Sequence, residues 1–243
     1  TAPLRIYNYT DKAHYEPHCS PLTMACRGLI LNDDDQVVAR PFPRFFNLEE
    51  VSGVLPVEPF TVTEKVDGRL GILYWANGQP SIATRGSFVD AQAQHATEVL
   101  RSRYADVSFD PSKTYLFEIV YPSNRIVVDY GATDDLFLLA VLDTATGQEC
   151  PVPDLGFPRP RRYDGVTDVS AILALGEMNQ EGFVVCFTSG YRVKVQLEEY
   201  TRLQKLLTGV TPRDVWEMLR AGTGIESLYT RVPDEYYRWI TDV

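Results

Sequence analysis

The feature that most constrains the fold is a succession of short β-type runs separated by turn signals. The runs are rich in Val, Ile, Tyr and Phe, and Gly, Asn, Asp and Ser bound them. The clearest signal is Asn77-Gly78, which predicts a hairpin joining Leu70–Trp75 to Ser81–Thr84. A second hairpin, around Ser189-Gly190, joins two of the other predicted strands. Those other strands are Leu4–Tyr7, Gly28–Leu31, Gln36–Arg40, Val62–Lys65, Tyr115–Val120, Leu136–Asp143, Phe183–Phe187 and Tyr191–Val195.

Helical patterns are fewer and concentrate at the C-terminal end. Ala91–Tyr104 has apolar residues at helical spacing, and Val169–Leu175 is a shorter predicted helix. After about residue 196 the sequence predicts three helices, which are Leu197–Leu207, Pro212–Ala221 and Pro233–Ile240. We therefore predict an α+β protein, with an antiparallel-β-rich domain over residues 1–196 and a short helical annex over residues 197–243.

Composition excludes several classes of protein. The apolar fraction of 44% is enough for a sizeable core, and there is no apolar run long enough for a membrane helix. No charged-then-apolar leader opens the chain, and the four cysteines have no disulfide-scaffold spacing. We therefore expect a reduced cytoplasmic protein, cellular or phage-encoded, with no membrane partner. The net charge of −10 argues against a general nucleic-acid coat but permits a focused phosphate site.

The most informative residue for chemistry is Lys65. It is one of five lysines beside eighteen arginines, and it begins a Lys-x-Asp-Gly turn that ends with Asp67 and Gly68. An amine can attack the α-phosphorus of a nucleotide and hold the nucleotide as a phosphoramide, whereas a guanidinium keeps its proton and cannot. The tetrapeptide alone also fits a β-turn with a solvated lysine. The hypothesis of a nucleophile therefore depends on the rest of the chain.

Other residues supply what a nucleotidyl transfer needs, namely cations for a polyphosphate, carboxylates for a metal and an apolar slot for a base. Glu118 lies inside an apolar strand, where a carboxylate is costly unless a cation, a hydroxyl or a metal satisfies it. Arg192 and Lys194 alternate along a strand and so share a face. Singly, each also fits a surface charge or a structural ion pair. The remaining candidates are Arg27, Arg44, Arg85 and Glu181, with Leu138 and Val184 as apolar residues that also fit core positions.

Together these segments resemble the covalent nucleotidyltransferase superfamily of RNA and DNA ligases and messenger-RNA capping enzymes. Lys65–Gly68 resembles its motif I; Glu118, Leu136–Asp143, Glu181-Gly182 and Arg192–Lys194 resemble motifs III, IIIa, IV and V. The chain is more similar still to the phage-type RNA ligase 1 family, the ATP-dependent ligases of tRNA repair. The segments that carry this closer resemblance are residues 4–9, 25–30, 39–50 and, most specifically, 121–128.

The resemblance implies an ATP-grasp-like ligase fold and a three-step reaction. Lys65 would take AMP from ATP, pass it to an RNA 5′-phosphate, and a 3′-hydroxyl would then displace it. Glu118 and Glu181 would hold the ribose or a hydrated Mg²⁺ or Mn²⁺, and Lys194 would contact the α-phosphate. The nucleotide would be bound by Arg27 (ribose or phosphates), Arg44 (β- and γ-phosphates), Arg85 (sugar-phosphate), Arg192 (triphosphate), Leu138 and Val184 (adenine), and by Glu64, Asp67 and Gly68 of motif I.

The protonation of Lys65 limits what Asp67 can do. The neighbouring cations Arg192 and Lys194, and a divalent metal, would favour a neutral amine by like-charge repulsion. A carboxylate touching the ammonium would act in the opposite direction. We therefore expect Asp67 to serve the turn or another partner.

The chain departs from the family pattern in two respects. Arginine replaces the family's lysine at Arg44, Arg85 and Arg192, which keeps the charge but changes reach and hydrogen-bond geometry. Few residues follow motif V, where the family has a large helical domain linked to tRNA specificity. The expected partners are RNA with 5′-phosphate and 3′-hydroxyl ends and an end-healing kinase-phosphatase. A DNA ligase, a GTP-using capping-type enzyme and a non-catalytic nucleotide- or RNA-binding module remain alternatives.

Overall fold

The computed structural model describes residues 3–10, 20–51 and 55–208, together with residues 216, 218 and 220. Its strands form three sheets. The N-terminal sheet has the order β1-β2-β3, with antiparallel pairing of Arg5–Asn8, Arg27–Leu31 and Val37–Ala39. A turn joins its last two strands, in which the side chain of Asn32 accepts hydrogen bonds from the backbone N–H groups of Asp34 and Gln36.

A second sheet, called here the floor sheet, has the order β11-β5-β12-β13-β4. All its pairings are antiparallel except that of β13 with β4. Its strands are β4 (Phe46–Asn47), β5 (Phe60–Lys65), β11 (Arg162–Tyr163), β12 (Gly182–Phe187) and β13 (Arg192–Gln196). Both hairpin strands predicted around Ser189-Gly190 therefore belong to it, whereas the two-residue strands β4 and β11 were not predicted.

A third sheet, called here the wall sheet, is antiparallel and has the order β10-β9-β8-β6-β7. The Asn77-Gly78 turn joins β6 to β7 as the sequence predicts, and both turn residues have positive φ angles of 53° and 75°. The short strand β10 was not predicted. The strands are β6 (Arg69–Ala76), β7 (Gln79–Ala83), β8 (Lys113–Val120), β9 (Asp135–Asp143) and β10 (Glu149–Cys150).

Each of the two large sheets buries one face in an apolar core. In the floor sheet, Val62, Phe183, Val185 and Val193 pack against Ile172 of a 3-10 helix over Val169–Leu175. The sequence predicts helix at that position, and the structure adds that its hydrogen bonding is of the 3-10 type. The wall sheet packs against the longest helix, and burying each large apolar side chain contributes about 1.5–3 kcal/mol.

Three α-helices are described. They are α1 (Pro21–Ala25), which was not predicted, α2 (Ala91–Arg103) and α3 (Glu198–Thr208). Asp90 caps α2 by accepting a hydrogen bond from the backbone N–H of Ala93. Of the second predicted C-terminal helix only residues 216, 218 and 220 are described, and they are helical; the third predicted helix lies outside the described residues.

Helix α3 packs on the β-rich part of the chain. Tyr200 is 3% exposed and forms an apolar cluster with Val127 and Val128. The division at residues 196 and 197 stays a prediction. In the described ranges, no helix combines the length and apolar character needed to cross a membrane.

Candidate active site

A cavity of about 830 Å³ lies beside the floor and wall sheets. Because side chains alternate along a strand, every second residue of the floor sheet faces this cavity while its neighbours enter the core. The cavity-lining residues of the floor sheet include Thr61, Thr63, Lys65, Arg162, Val184, Cys186, Arg192 and Lys194. Arg192 and Lys194 were predicted to share a face of their strand, and both side chains lie on the cavity face of β13.

Lys65 ends strand β5 on the cavity floor. Its Nζ lies 2.6 Å from Oε1 of Glu181, and the two side chains are 19% and 3% exposed. The pairing depends on Gly182, which lies opposite Lys65 in the sheet, because a Cβ there would lie 2.1 Å from the carbonyl oxygen of Val195. Gln196 donates a 3.2 Å hydrogen bond to the same oxygen of Glu181. Sequence motifs I and IV therefore meet at an ammonium–carboxylate pair.

Glu118 lies in β8 of the wall sheet, opposite Leu70, and lines the same cavity. Burial raises the pKa of this carboxyl from its usual value to about 7, against the lowering effect of the charges of Lys65, Arg27 and Arg69. The neighbouring carboxylate of Asp67 raises the pKa further. Glu118 is thus a carboxyl group whose ionised form has cationic neighbours, as the sequence suggested for a carboxylate in an apolar strand.

The motif I loop is held by Asp67, which is 4% exposed. Its Oδ2 accepts hydrogen bonds from the backbone N–H groups of Val127 and Val128 at 2.9 and 2.8 Å, and its Oδ1 accepts one from the Tyr200 hydroxyl at 2.8 Å. The backbone N–H of Asp67 donates to the Tyr130 hydroxyl. The expectation that Asp67 serves other partners agrees with these bonds. They also account for the proximity of the segment 121–128 to the nucleophile loop.

Gly68 completes the loop because no larger residue fits there. A Cβ at this position would lie 2.5 Å from the carbonyl oxygen of Ile119 and 3.0 Å from Cγ of Glu118. The loop therefore packs directly on the strand that carries Glu118. Glu64, the residue before Lys65, also lines the cavity, and burial raises the pKa of its carboxyl.

Arg27 and Arg85, two of the predicted phosphate-binding arginines, line the cavity. The backbone next to Arg27 lies close to the backbone of Arg85. Gly28 follows Arg27 with a φ of +99°, and a Cβ there would lie 3.1 Å from Cα of Arg85. A glycine at this position is thus what lets the N-terminal sheet approach the end of the β6–β7 hairpin.

The cations of β13 already have protein contacts. Arg192 pairs with Glu149 of β10, and its guanidinium lies 4.5 Å from the centre of the Phe42 ring. Lys194 is 8% exposed, with Nζ 5.8 Å from the centre of the Phe45 ring. Glu149 therefore places a carboxylate from the wall sheet against a cation of the floor sheet.

Arg44 is the one predicted site residue that is not among the cavity-lining residues of the described structure. Its guanidinium lies 4.6 Å from the ring centre of Phe46 and 5.4 Å from that of Tyr9. The Tyr9 ring also lies 6.0 Å from the guanidinium of Arg85. Arg44 thus stands next to the cavity through a shared ring, and its role with the β- and γ-phosphates stays a prediction.

Leu138 and Val184, which were predicted to sandwich the base, both line the cavity but belong to different sheets. Val184 stands on the floor, between Thr63 and Lys194 in the register of the sheet. Leu138 belongs to the wall sheet and is only 1% exposed, inside the core cluster. Leu138 can therefore be part of the hydrophobic core and still contact a base in the cavity, as predicted.

Sequence reasoning missed four residues that the fold brings to the site. Arg69 directly follows the Lys-x-Asp-Gly turn, which was the available signal, and it lines the cavity. Arg162, Glu149 and Tyr200 reach the site through strand pairing or helix packing far along the chain, for which no local pattern exists.

The carboxylates suit a metal that keeps most of its water. In the part of the chain that the structure describes, no group of three or more His, Cys, Asp or Glu side chains is arranged to hold a metal ion. Glu118 and Glu181 both line the cavity next to Lys65. One or two carboxylates combined with substrate phosphates and water are the usual ligands of protein-bound Mg²⁺. The donor set therefore fits the metal that the resemblance implies.

Two curated proteins with sequences similar to this chain are both named as RNA ligases. The chain is 29% identical over 217 residues to a protein named as a bifunctional polynucleotide kinase/RNA ligase of Autographa californica nuclear polyhedrosis virus, covering 75% of this chain and 30% of the relative. It is 29% identical over 185 residues to a protein named as an RNA ligase of Thermovibrio ammonificans, covering 68% of this chain and 47% of the relative. The chain thus spans less than half the length of these curated relatives.

A solved structure shares the fold. An archaeal ATP-dependent RNA ligase superimposes with a TM-score of 0.52 at 18% identity, over 86% of this chain and 60% of that one. The predicted fold class, an antiparallel-β-rich nucleotidyltransferase fold, is thereby confirmed. The sequence model of the RNA ligase family of the T4 ligase 1 type matches residues 25–155, more than half of the chain. The chain therefore belongs to the phage-type RNA ligase 1 family.

Proposed function

We propose that this protein is an ATP-dependent RNA ligase that carries AMP on Lys65. The observation that supports this most directly is the pairing of Lys65 Nζ with Glu181 at 2.6 Å on the floor of a cation-lined cavity. Family membership gives independent support. The proposal extends to the whole reaction, in which AMP moves from Lys65 to an RNA 5′-phosphate and a 3′-hydroxyl then displaces it.

In the first step, Nζ of Lys65 forms a bond to the α-phosphorus of ATP and the bond to pyrophosphate breaks. An ammonium has no lone pair, so its proton must first leave, either to solvent or to the carboxylate of Glu181 beside it. Pyrophosphate needs little help from an acid in order to leave. Positioning and charge neutralisation therefore supply most of the catalysis.

The cations of the cavity would neutralise the phosphates. Lys194 and Arg192 stand on β13, Arg27 begins β2, and Arg85 follows β7. Arg192 must exchange Glu149 for phosphate oxygens, which its planar guanidinium can bind in pairs. We assign the adenine to the apolar space between Leu138 and Val184, with Arg44 as a further phosphate ligand at the rim.

A divalent Mg²⁺ or Mn²⁺ would be held by Glu118 and Glu181, largely through water. When bound, it would supply positive charge at the reacting phosphate. The role of Glu118 itself depends on its ionisation, because a carboxyl with a pKa of about 7 is only partly charged at neutral pH. A cation beside it would favour the carboxylate form.

The RNA and its supply are also part of the proposal. Ends with a 5′-phosphate and a 3′-hydroxyl require an end-healing kinase-phosphatase when the break leaves other ends. One relative is named as a bifunctional kinase/ligase, which supports such a partner. We place the reaction in cytoplasmic RNA repair, with broken tRNA as the expected substrate.

Mass spectrometry after incubation with ATP and Mg²⁺ tests the first step. We expect one covalent AMP, mapped to Lys65, and none on Lys65→Ala. Lys113→Ala is the matched control, because Lys113 pairs with Asp143 outside the cavity. Circular dichroism checks that both variants fold. Absence of an adduct on the wild-type protein would contradict the proposal and favour a non-catalytic binding module.

Two further arms separate the enzyme alternatives. An adduct from GTP but not from ATP would indicate a capping-type enzyme. Sealing of a 5′-phosphorylated DNA end in preference to the matching RNA would indicate a DNA ligase. We expect adduct formation from ATP and joining of RNA ends.

A further inference from the structure

We propose that Arg69 binds a backbone phosphate of the RNA strand that is being joined. This inference rests on the proposed function for the identity of the strand. It assigns a substrate contact to a residue that lies just after motif I. The argument has three parts, which concern the partners of Arg69, its position and the charge of its surroundings.

Arg69 is a partly buried residue whose charge acts on the carboxyl of Glu118, but it lacks a hydrogen-bond partner in the described structure. Among the described residues, no side chain or carbonyl forms a hydrogen bond or an ion pair with it, although it lines the cavity. By contrast, Arg192 pairs with Glu149 and Arg162 with Asp164. Withdrawing a guanidinium from water without a partner is unfavourable. An arginine kept in this state at a cavity wall is suited to an anion that arrives with the substrate.

The position of Arg69 differs from that of the residues assigned to the triphosphate. It begins β6 and pairs with Ile119, whereas its neighbour Leu70 pairs with Glu118. Directly opposed residues of an antiparallel pair share a face, so Arg69 starts on the face of Ile119 and not on that of Glu118. The face of Ile119 packs against α2, and Gln92 from the first turn of α2 lines the same cavity.

Arg69 therefore begins the strand face that packs against α2, whereas Lys65 and Lys194 stand on the floor sheet. Lys194 and Arg192, which are assigned to the triphosphate, stand on β13, two strands from β5 and thus about 10 Å from it. A strand whose end reaches Lys65 must extend out of the cavity, and Gly86 and Gln92, which lie before and in the first turn of α2, line the same cavity as Arg69. A backbone phosphate is the anion that such a strand brings there.

The charge of the chain makes the contact measurable. With a net charge of −10, non-specific attraction to RNA is weak, so few cations contribute to binding. Each phosphate neutralised on a single strand contributes about −0.7 to the slope of log K against log salt concentration. Loss of one contact from a small set is therefore visible in that slope.

The test is equilibrium binding of a 5′-phosphorylated single-stranded oligoribonucleotide, without ATP, at several salt concentrations. Arg69→Gln is expected to weaken binding about tenfold and to reduce the slope by about 0.7. Arg69→Lys should keep the slope. The matched control is Arg5→Gln, since Arg5 is an exposed arginine paired with Asp35 outside the cavity. Equal slopes for Arg69→Gln and Arg5→Gln would overturn the proposal.

Formation of the AMP adduct from ATP is measured on the same variants. The measurement is made at pH 9, where the Glu118 carboxyl is ionised with or without the charge of Arg69. There we expect Arg69→Gln to keep the wild-type rate within about twofold. A loss of adduct as large as the loss of RNA affinity would mean that Arg69 binds the nucleotide, and would also overturn the proposal. Failure of the wild-type protein to form any adduct would instead refute the ligase assignment, and the salt slope would still report on Arg69. Arg69→Ser, another charge-removing variant, replaces Arg69→Gln if thermal melting shows that Arg69→Gln does not fold.

Discussion

The hydroxyl of Tyr200 lies 2.8 Å from Oδ1 of Asp67, and both side chains are buried. Residues 133 positions apart in the sequence thus join α3 to the loop that presents Lys65. The Asp67 carboxylate has two further donors, the backbone N–H groups of Val127 and Val128. Helix α3 is therefore part of what holds the nucleophile loop in place.

Removing that hydroxyl tests the link. Tyr200→Phe leaves the ring in its apolar cluster but deletes a hydrogen bond to a buried carboxylate, which is worth about 1.5–3 kcal/mol. We expect the free energy of unfolding in urea to fall by that amount and AMP-adduct formation to slow. Tyr191→Phe is the control, because Tyr191 is 39% exposed and packs on Phe187. Equal stability of the two variants would argue against the link.

Gly68→Ala tests the close packing of motif I on strand β8. The added methyl group would meet the Ile119 carbonyl oxygen at 2.5 Å, so the loop or the strand must move. We expect a loss of about 1–3 kcal/mol in the free energy of unfolding, the usual cost of overpacking. Gly86→Ala serves as a stability control, since a Cβ there meets no atom within 4 Å. Similar denaturation midpoints for both variants would show that the contact is not restrictive.

The raised pKa of Glu118 predicts a pH-dependent stability. Between the usual pKa of the carboxyl and the folded value of about 7, the folded protein holds a proton that the unfolded chain has released. Stability therefore declines as the pH rises through this window, by about 3 kcal/mol in total. Glu118→Gln cannot release a proton and should lose this dependence. Urea unfolding at pH 5, 6, 7 and 8 measures the difference, and a difference that stays constant with pH would contradict the prediction.

Glu149→Gln tests the competition for Arg192. In the described structure, the carboxylate of Glu149 pairs with the guanidinium of Arg192, which we assign to the triphosphate. Neutralising it should lower the KM for ATP in adduct formation by a few-fold, because a part-exposed ion pair of this kind is worth up to about 1 kcal/mol. Glu177→Gln, which removes the exposed partner of Arg161, should leave KM unchanged. A raised KM for Glu149→Gln would mean that Glu149 positions Arg192 and does not compete with ATP.

The sequence predicted what depends on local pattern. The structure contains the Asn77-Gly78 hairpin, the strand that ends at Lys65 and helix α2. Each was predictable because its turn residues or its apolar periodicity lie within a segment of about ten to fifteen residues. The shared face of Arg192 and Lys194 likewise follows from strand alternation.

What could not be predicted depends on contacts between distant segments. Strand β11 has two residues and exists only because β5 pairs with it. The pairing of Glu149 with Arg192 requires the wall and floor sheets to meet, which no local pattern encodes. The family resemblance implies that Arg44 binds the β- and γ-phosphates, which stays a prediction; that its guanidinium lies against the rings of Tyr9 and Phe46 depends on packing that the sequence did not indicate.

The short segment Pro158–Arg162 has a mechanical consequence. The backbone N–H of Leu138 in the wall sheet donates to the carbonyl of Pro158, and that of Glu64 in the floor sheet donates to the carbonyl of Arg161. Two prolines stiffen the span between these anchors. The segment therefore ties the wall sheet to the floor sheet, and the two sheets cannot separate along it without breaking a main-chain hydrogen bond.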